Sequence, residues 1–243
     1  MPAATQPACP PWTLAPQGDR CLILTFGDTI DVAIGRRCTA AAWALRQADI
    51  EGITDIVPAF TTLAVHFQLP GADSRNGLSR LVDEIRQVLT DNLAEDSTAT
   101  HGRLVEIPVC YEAEYGPDLT DVAAHTGLST DEVIRLHSEQ PCYVFMLGFA
   151  PGAPYVGVHD IRLDIGRRAT PRTRLPAGSV AIANRQTIIY PNASPGGWHI
   201  IGATPVTLFN PAGDPPTLLS PGDMLQFIPV SAKEFLAIKG SQS

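Results

Sequence analysis

Lysine is almost absent from this chain of 243 residues, which contains 15 arginines but only two lysines, Lys233 and Lys239. A Walker-type phosphate-binding loop needs the pattern G-x-x-x-x-G-K, and no such segment occurs in the sequence. The shortage also disfavours a Schiff-base lysine within an active site. If the chain takes part in ATP chemistry, we therefore expect another subunit to hold the phosphates.

Other residues that commonly carry chemistry are few or poorly spaced. The five cysteines form no C-x-x-C pair, which favours small, reduced, buried residues, and the six histidines show no paired metal-ligand spacing. Ser194 stands in a segment similar to the nucleophile elbow G-x-S-x-G. The first glycine of that motif is missing, and Pro195 lacks the N–H that an oxyanion hole would use. The sequence thus predicts no metal site and leaves the catalytic residues unknown.

Positive charge is also scarce, since 25 acidic residues oppose 17 basic ones and give a net charge of −8. Such a chain is not suited to neutralise phosphates or anionic lipid, so we expect neither a nucleic acid nor a membrane as its partner. Residues 1–19 lack a basic start followed by an apolar stretch. We therefore expect no signal peptide and a cytoplasmic location.

A predicted helix pair within residues 118–139 is similar to a DNA-binding helix-turn-helix. This segment carries five acidic residues and a single basic one, Arg135, so its second helix would repel phosphate. We interpret it as a structural helical hairpin. Gly127 is expected to end the first helix, and Ser129 with Glu132 to form a capping box for the second.

The amino-terminal half alternates between two hydrophobic periods. Apolar residues at every second position predict strands near residues 22–26, 52–58 and 63–69, whereas helical spacing predicts helices near 41–48 and 78–89. This order of strand, helix, strand, strand, helix indicates a ferredoxin-like α/β sandwich over residues 13–97, after a disordered tail at 1–12. The polar segment 92–103 marks the expected domain boundary.

The carboxyl-terminal half, residues 98–243, has a different composition. A strand at 104–111 and the helical hairpin precede 75 residues that hold eleven prolines and ten glycines. Short apolar segments recur between them, at 180–183, 187–190, 199–201, 206–209 and 225–228. Many short strands joined by such turns predict a closed β-barrel.

Two clusters in this half are candidates for binding. Five arginines, Arg162, Arg167, Arg168, Arg172 and Arg174, form a positive patch in an acidic chain. They are suited to hold a carboxylate or phosphate, or else they lie on a solvated hairpin paired with nearby aspartates. The patch is expected to matter more to function than to folding, so Arg168→Ala and Arg172→Ala should change stability little and weaken the binding of an anion or partner. The neighbouring aromatic residues line a groove or fill the barrel; they are Tyr143, Phe149, Tyr155, Tyr190 and Trp198.

Several ordered motifs resemble the allophanate hydrolase subunit 1 family. They read LGFAPGAPY at 147–155, RRATPR at 167–172, LPAGSV at 175–180, QT at 186–187, YP at 190–191, SPGGW at 194–198 and IG at 201–202. This family includes the B subunit of a bacterial ATP-dependent 5-oxoprolinase and a sporulation kinase inhibitor. The resemblance implies a ferredoxin-like amino-terminal domain and a cyclophilin-like β-barrel carboxyl-terminal domain.

The resemblance to this family also implies a polypeptide that is inactive alone. In 5-oxoprolinase it would act with a paired C subunit, of the allophanate hydrolase subunit 2 type, and with the A subunit, opening 5-oxoproline to glutamate with ATP. We expect the chain itself to bind no cofactor, ATP being used by the complex, and to form one wall of a shared site for a small carboxylate. A related amidohydrolase or carboxyltransferase-like complex is equally compatible. The alternatives are a regulator that inhibits a histidine kinase through the barrel groove, and a module that binds a proline-containing peptide.

The resemblance and the composition together predict the residues of a substrate or partner groove. These are Phe149, Pro151, Tyr155, Arg168, Arg172, Pro176, Gly178, Ser179, Gln186, Tyr190, Gly196, Gly197 and Trp198. Neither Gly196 nor Gly197 is expected to tolerate a side chain, because the backbone there should approach another element. The chain departs from the family pattern at Ala153, where Phe is usual, and at Asn184 and Ile188, where Gly is usual. These changes should widen a pocket and reshape the turn near Gln186.

Overall fold

The structure is a computed structural model that describes residues 12–69, 74–93 and 102–241. The chain divides into two compact units, Met1–Thr100 and His101–Ser243. The expected boundary at residue 97, like most of the expected tail, lies outside the described residues. No described helix is long and apolar enough to cross a membrane.

The first unit contains a four-stranded antiparallel sheet and two helices. Its strands lie in the spatial order β1-β2-β4-β3. In chain order its elements are β1 (Thr13–Pro16), β2 (Cys21–Thr25), α1 (Val32–Ala48), β3 (Ile53–Pro58), β4 (Thr62–Phe67) and α2 (Ser74–Asn92).

These elements include the predicted order of strand, helix, strand, strand, helix, from β2 to α2. Strand β1, which pairs with β2 at the edge of the sheet, was not predicted from the sequence. A ferredoxin-like sandwich has a further strand after its second helix, and residues 94–101 lie outside the described part of the chain. The ferredoxin-like assignment therefore stays a prediction. The core of the unit joins α1, through Cys38, Ala41 and Leu45, to alternate residues of β2 such as Leu22 and Leu24.

The second unit is built on a seven-stranded sheet that is nearly closed into a barrel. The sheet order is β12-β9-β10-β7-β6-β13-β5, with a separate ribbon of β8 and β11. Its strands are β5 (Leu104–Val109), β6 (Cys142–Leu147), β7 (Pro154–Gly157), β8 (Arg172–Leu175), β9 (Ser179–Ala183), β10 (Gln186–Ile189), β11 (Ser194–Gly196), β12 (His199–Ala203) and β13 (Met224–Pro229). Its helices are α3 (Leu119–Thr126), α4 (Thr130–Ser138) and α5 (Ala232–Ser241), with a 3₁₀ turn at Ile161–Leu163.

Two backbone hydrogen bonds connect the edge strands and bring the sheet close to closure. The Cys110 N–H donates to the Ala203 carbonyl at 2.8 Å, and the Ala203 N–H donates to the Cys110 carbonyl at 2.9 Å. Closure leaves little unpaired strand edge. The barrel predicted for this half is confirmed, although residues 206–209 form no strand, since only Phe209 makes an isolated bridge there.

The two faces of this sheet hold different cores, as strand alternation requires. In β9, Val180 and Ile182 point into the large core with Phe227, whereas Ala181 and Ala183 lie on the opposite face in a smaller cluster. That second cluster contains most of the aromatic residues selected from the sequence.

The predicted helical hairpin is present as α3 and α4. Ser129 and Glu132 form the expected capping box, in which the Glu132 N–H donates to Ser129 Oγ and the Ser129 N–H donates to the Glu132 carboxylate. Gly127 ends α3 with φ at 71°. Both helices bring residues such as Val122, Val133 and Leu136 to the large core, consistent with a structural hairpin.

The turn between β9 and β10 has two residues, both with positive φ: Asn184 at 50° and Arg185 at 61°. Such a pair is typical of a type I′ hairpin, and asparagine tolerates it well. Ile188 lies within β10, paired with Ala181, and needs no left-handed backbone. Of the two residues that replace the family's usual Gly in this hairpin, the left-handed one is therefore Asn184, and a reshaped turn near Gln186 stays a prediction.

Candidate functional site

Four of the predicted groove residues form one aromatic surface on the outer side of the barrel, here called the aromatic face: Phe149, Tyr155, Tyr190 and Trp198. Phe149 meets the edge of Tyr190 with ring centroids 6.2 Å apart, and Tyr155 meets Trp198 at 6.0 Å. Tyr190 and Trp198 are buried, Tyr155 is half-buried, and Phe149 is 64% exposed. The face therefore has an apolar floor with one open ring at its rim.

Phe149 has an unfavourable backbone, with φ at 70°. A bulky side chain is rare in this left-handed region, where glycine is the usual residue. Strain of this kind concentrates at ligand and partner sites. An exposed aromatic ring held in such a conformation marks the loop after β6 as a functional element.

Small residues make room for the aromatic floor. Ala153 and Ala181 belong to the same buried cluster as Tyr190 and Trp198. At Gly196, an added Cβ would lie 2.5 Å from the Tyr190 hydroxyl and 2.6 Å from Leu175 Cδ1. An added side chain at Gly196 would therefore force Tyr190 or Leu175 to shift. Ala153 belongs to the core beneath the aromatic face, and the widened pocket expected there stays a prediction.

The arginine patch is divided between different partners. Arg172 donates to both oxygens of Asp118, at 2.6 and 2.7 Å, and Arg168 donates to one of them at 2.7 Å. The Ile200 N–H adds a fourth bond to this carboxylate, whose side chain is 2% exposed. Burial raises the pKa of Asp118, but the bonds from Arg172 and Ile200 and the two positive charges bring it below its ordinary value. Arg162 binds Asp160, as the solvated alternative predicts.

Asp118 was not identified from the sequence, because it lies about 50 residues from its arginine partners. It was counted there among the acidic residues of the helical hairpin. The pairing shows that Arg168 and Arg172 connect α3, β8 and β12. It thereby pairs both arginines of the predicted groove with a carboxylate, while Arg168 Nε is buried without a partner among the described residues.

Arg167 and Arg174 have no carboxylate partner among the residues described. Arg174 is exposed on β8, whereas the guanidinium of Arg167 lies 5.8 Å from the centre of the Trp198 ring. The backbone beside Arg167 is fixed, because the Arg168 N–H donates to the Gly197 carbonyl at 2.7 Å. Arg167 therefore belongs to the aromatic face, although it was not selected among the groove residues.

The other predicted residues serve the turns around this face. The Gly178 N–H donates to the Tyr190 carbonyl, and Ser179 Oγ donates to the Pro176 carbonyl. Gly178 has φ at 82°, and an added Cβ would lie 2.3 Å from the Thr204 carbonyl oxygen. The three remaining predicted residues are not part of the aromatic face. Gln186 is buried in β10, and Pro151 is exposed in a turn. At Gly197, an added Cβ would lie at an ordinary 3.5 Å from Pro171.

A buried polar network that was not predicted from the sequence runs through the barrel core. Tyr111 Oη lies 2.7 Å from His137 Nδ1, and Thr187 Oγ1 lies 2.9 Å from His137 Nε2 and 2.6 Å from His159 Nε2. Cys142 Sγ is 3.5 Å from His159 Nδ1. If Tyr111 donates to His137, His137 to Thr187, Thr187 to His159 and His159 to Cys142, every donor finds an acceptor. The network is thus fully satisfied with both imidazoles neutral.

This network is sealed from substrate. Burial lowers the pKa of His159 to about 4 and that of His137 well below its ordinary value, and it raises the pKa of Cys142 to about 12. Thr187 and His137 are completely buried. A neutral thiol and an inaccessible hydroxyl do not act as nucleophiles.

The described residues contain no group of three or more side chains that could hold a metal ion. Ser194 Oγ is buried and has no hydrogen-bond partner, so no base activates it. The aromatic face, with Arg167 beside it, remains as the candidate binding surface.

The fold of the second unit defines a nearly closed, cyclophilin-like barrel within a mixed α/β chain. The urea amidolyase of K. lactis has the same fold, with a TM-score of 0.74 and 19% sequence identity. The match covers 95% of this chain and 15% of that protein. The chain belongs to the family described as carboxyltransferase domain, subdomain C and D, which matches residues 12–219.

Relatives at higher identity are similar to nearly the whole chain. The B subunit of 5-oxoprolinase from Bacillus subtilis is 39% identical over 226 residues, which cover 91% of this chain and 94% of that protein. The crystal structure of TTHA0988 is 37% identical, with a TM-score of 0.73, over 88% of this chain. The match spans only 40% of TTHA0988, so there the similar sequence is continuous with further polypeptide.

Proposed function

We propose that this chain is a non-autonomous subunit of an ATP-dependent 5-oxoprolinase, or of a closely related amidohydrolase or carboxyltransferase-like complex. The observation that carries the proposal is the 39% identity to a 5-oxoprolinase B subunit over nearly the full length of both chains. The ferredoxin-like interpretation of the first unit is part of the same proposal.

The chemistry of lactam opening fits a shared site. Transfer of the ATP γ-phosphoryl group to the amide oxygen would activate the ring carbon, and attack by water would then open the ring and release phosphate. These steps need a nucleotide site, stabilisation of developing negative charge and a positioned water. Within its described residues this chain offers one part of that set, an arginine beside an apolar floor. We infer that the aromatic face is one wall of the site, and that partners corresponding to the A and C subunits of 5-oxoprolinase supply the nucleotide site.

Reconstitution tests this proposal. The purified chain, each partner alone and all combinations are assayed for release of phosphate from ATP and of glutamate from 5-oxoproline. We expect turnover only when the chain is combined with both partners. Turnover by this chain alone that survives further purification would contradict a shared site.

A matched pair of variants examines the role of the aromatic face. Phe149 and Ile161 are each 64% exposed in the second unit, so either can be replaced by alanine with little loss of packing. We expect Phe149→Ala to reduce turnover of the complex and Ile161→Ala to leave it unchanged. Silence of every combination would favour the regulator alternative, which inhibition of a histidine kinase by the chain would then test directly.

A further inference from the structure

The two unassigned polar groups of the aromatic face are Arg167 and the hydroxyl of Tyr190. Arg167 is the arginine of the patch that lies over an aromatic ring while binding no carboxylate among the described residues. Its neighbours Arg162, Arg168 and Arg172 are each occupied by an aspartate. A guanidinium on an aromatic ring keeps its N–H edge free for a planar anion.

Tyr190 is 2% exposed, and its hydroxyl makes no hydrogen bond with the described residues. The hydroxyl oxygen is not one of the fully buried polar atoms without a partner, so it keeps contact with solvent. The hydroxyl packs closely against Gly196, where an added Cβ would lie 2.5 Å from it. Burial raises the pKa of Tyr190 to about 12, which keeps this group a hydrogen-bond donor.

Both groups adjoin Trp198, since Arg167 lies 5.8 Å from the centre of its ring and Tyr190 packs with it in one buried cluster. The positive charge of Arg167 acts on both Tyr155 and Tyr190, opposing the rise in pKa that burial causes in each. The backbone beside Arg167 is bonded to Gly197, next to Trp198 in the chain. Arg167, Tyr190 and the floor of Trp198 and Tyr155 thus surround one location.

We propose that Arg167 and the Tyr190 hydroxyl bind the carboxylate of a small acid whose flat, weakly polar body rests on Trp198. Both polar groups are donors, so they recognise an acceptor such as a carboxylate. The aromatic floor favours a ring or a planar amide over a highly hydrated body. The inference rests on the proposed function for the identity of this acid, 5-oxoproline, and it assigns recognition to Arg167 instead of Arg168 and Arg172.

Fluorine NMR of the full chain labelled with 5-fluorotryptophan tests this inference directly. The chain has three tryptophans, and the signal of Trp198 is assigned by its loss in Trp198→Phe. Three ligands are titrated: 5-oxoproline, 2-pyrrolidone, which has the same lactam ring without the carboxylate, and cyclopentanecarboxylate, which has the carboxylate on a ring without the amide. We expect both acids to move the Trp198 signal saturably and 2-pyrrolidone to bind at least about tenfold more weakly, since charge-assisted bonds are the strong ones.

Variants separate this site from general surface charge. Arg167→Ala is expected to weaken the binding of both acids at least about tenfold, and Tyr190→Phe, which keeps the ring, to weaken it several-fold. Arg174→Ala removes an exposed arginine of the same segment and should bind like the parent. In the assembled complex, Arg167→Ala should raise the KM for 5-oxoproline by a similar factor.

The outcomes distinguish this inference from the proposed function. Carboxylate binding that depends on Arg167, in a chain whose complexes never turn over, would retain the site and overturn the oxoprolinase assignment. Turnover of a complex whose KM is unchanged in Arg167→Ala would overturn the site and retain the assignment. Equal binding of 2-pyrrolidone and 5-oxoproline, or no saturable shift of the Trp198 signal, would also contradict the site.

Discussion

Arg172 donates two hydrogen bonds to the carboxylate of Asp118, at 2.6 and 2.7 Å, and so holds an almost completely buried charge. The same carboxylate accepts the Ile200 N–H at 2.8 Å. Because one buried group connects α3, β8 and β12, its partners support the fold. An arginine that is bonded to a buried aspartate would have to give up these hydrogen bonds to bind a substrate, whereas an unpaired arginine would not.

This pairing predicts a loss of stability when Arg172 is removed. We expect Arg172→Ala to lower the free energy of unfolding by about 2–3 kcal/mol, because it leaves a buried carboxylate only partly compensated by Arg168. Urea denaturation measures the change, with Arg174→Ala as the exposed control, within about 0.5 kcal/mol of the parent. The small effect on stability that the sequence predicts for Arg168 and Arg172 is wrong on this structure, because both bind a buried carboxylate, and equal stability of the two variants would restore it.

The histidine pair in the barrel core predicts a loss of stability in mild acid. Both His137 and His159 have pKa values lowered by burial, so the unfolded chain binds more protons than the folded one below pH 6.5. Stability is therefore complete above about pH 6.5 and declines toward pH 4, by up to about 1.4 kcal/mol per pH unit for each histidine.

Urea denaturation at several pH values between 7.5 and 5 measures this decline, in a range where unfolded carboxyl groups stay ionised. His159→Gln should lower the stability at neutral pH and flatten the pH dependence, since one titrating group is lost. His125→Gln, which changes an exposed histidine on α3, should keep the slope of the parent. A parent whose stability is constant from pH 7.5 to 5 would contradict the neutral, buried assignment.

Local patterns in the sequence predicted much of the fold, and contacts between distant residues account for what they missed. The capping box of Ser129 and Glu132 and the end of α3 at Gly127 depend on neighbours in the chain, so both were predicted correctly. The bond between Asp118 and Arg172 joins residues 54 positions apart and leaves no local pattern. The same holds for the network around Thr187, whose histidines lie 28 and 50 positions away.

At the aromatic face, too, local motifs predicted some residues, and contacts between distant residues account for what was missed. Its rings were selected correctly from motifs and composition, but neither of these reveals which guanidinium of the patch is already bound, so Arg168 and Arg172 were selected and Arg167 was not. That distinction depends on Asp118, a residue of another element. Predictions for a charged cluster therefore need the partner of each charge before any of them is assigned to a ligand.

The two adjacent glycines of β11 and its following loop should respond differently to substitution. Gly196→Ala places a methyl group 2.5 Å from the Tyr190 hydroxyl and 2.6 Å from Leu175, so we expect a loss of about 1–3 kcal/mol. Gly197→Ala meets Pro171 at 3.5 Å, an ordinary contact, and should cost well under 1 kcal/mol. The intolerance expected from the sequence thus applies to Gly196 and is wrong for Gly197. Thermal unfolding of the two variants measures the difference, and equal losses would contradict it.

The left-handed backbone of Phe149 is expected to lower the stability of the fold, while its exposed ring contributes to activity. Its φ of 70° suits glycine, so Phe149→Gly should relieve strain that Phe149→Ala retains. Both variants lose the same exposed ring, so the difference between their free energies of unfolding measures the cost of the left-handed backbone. We expect the glycine variant to be more stable than the alanine variant by up to about 1 kcal/mol, since a left-handed alanine costs about 1–2 kcal/mol and glycine loses more entropy on folding. Urea denaturation of the pair measures this difference.

Both variants should nevertheless weaken turnover of the complex equally, because the ring at the rim of the aromatic face is gone in each. A glycine variant less stable than the alanine variant would show that the left-handed conformation of Phe149 carries no strain.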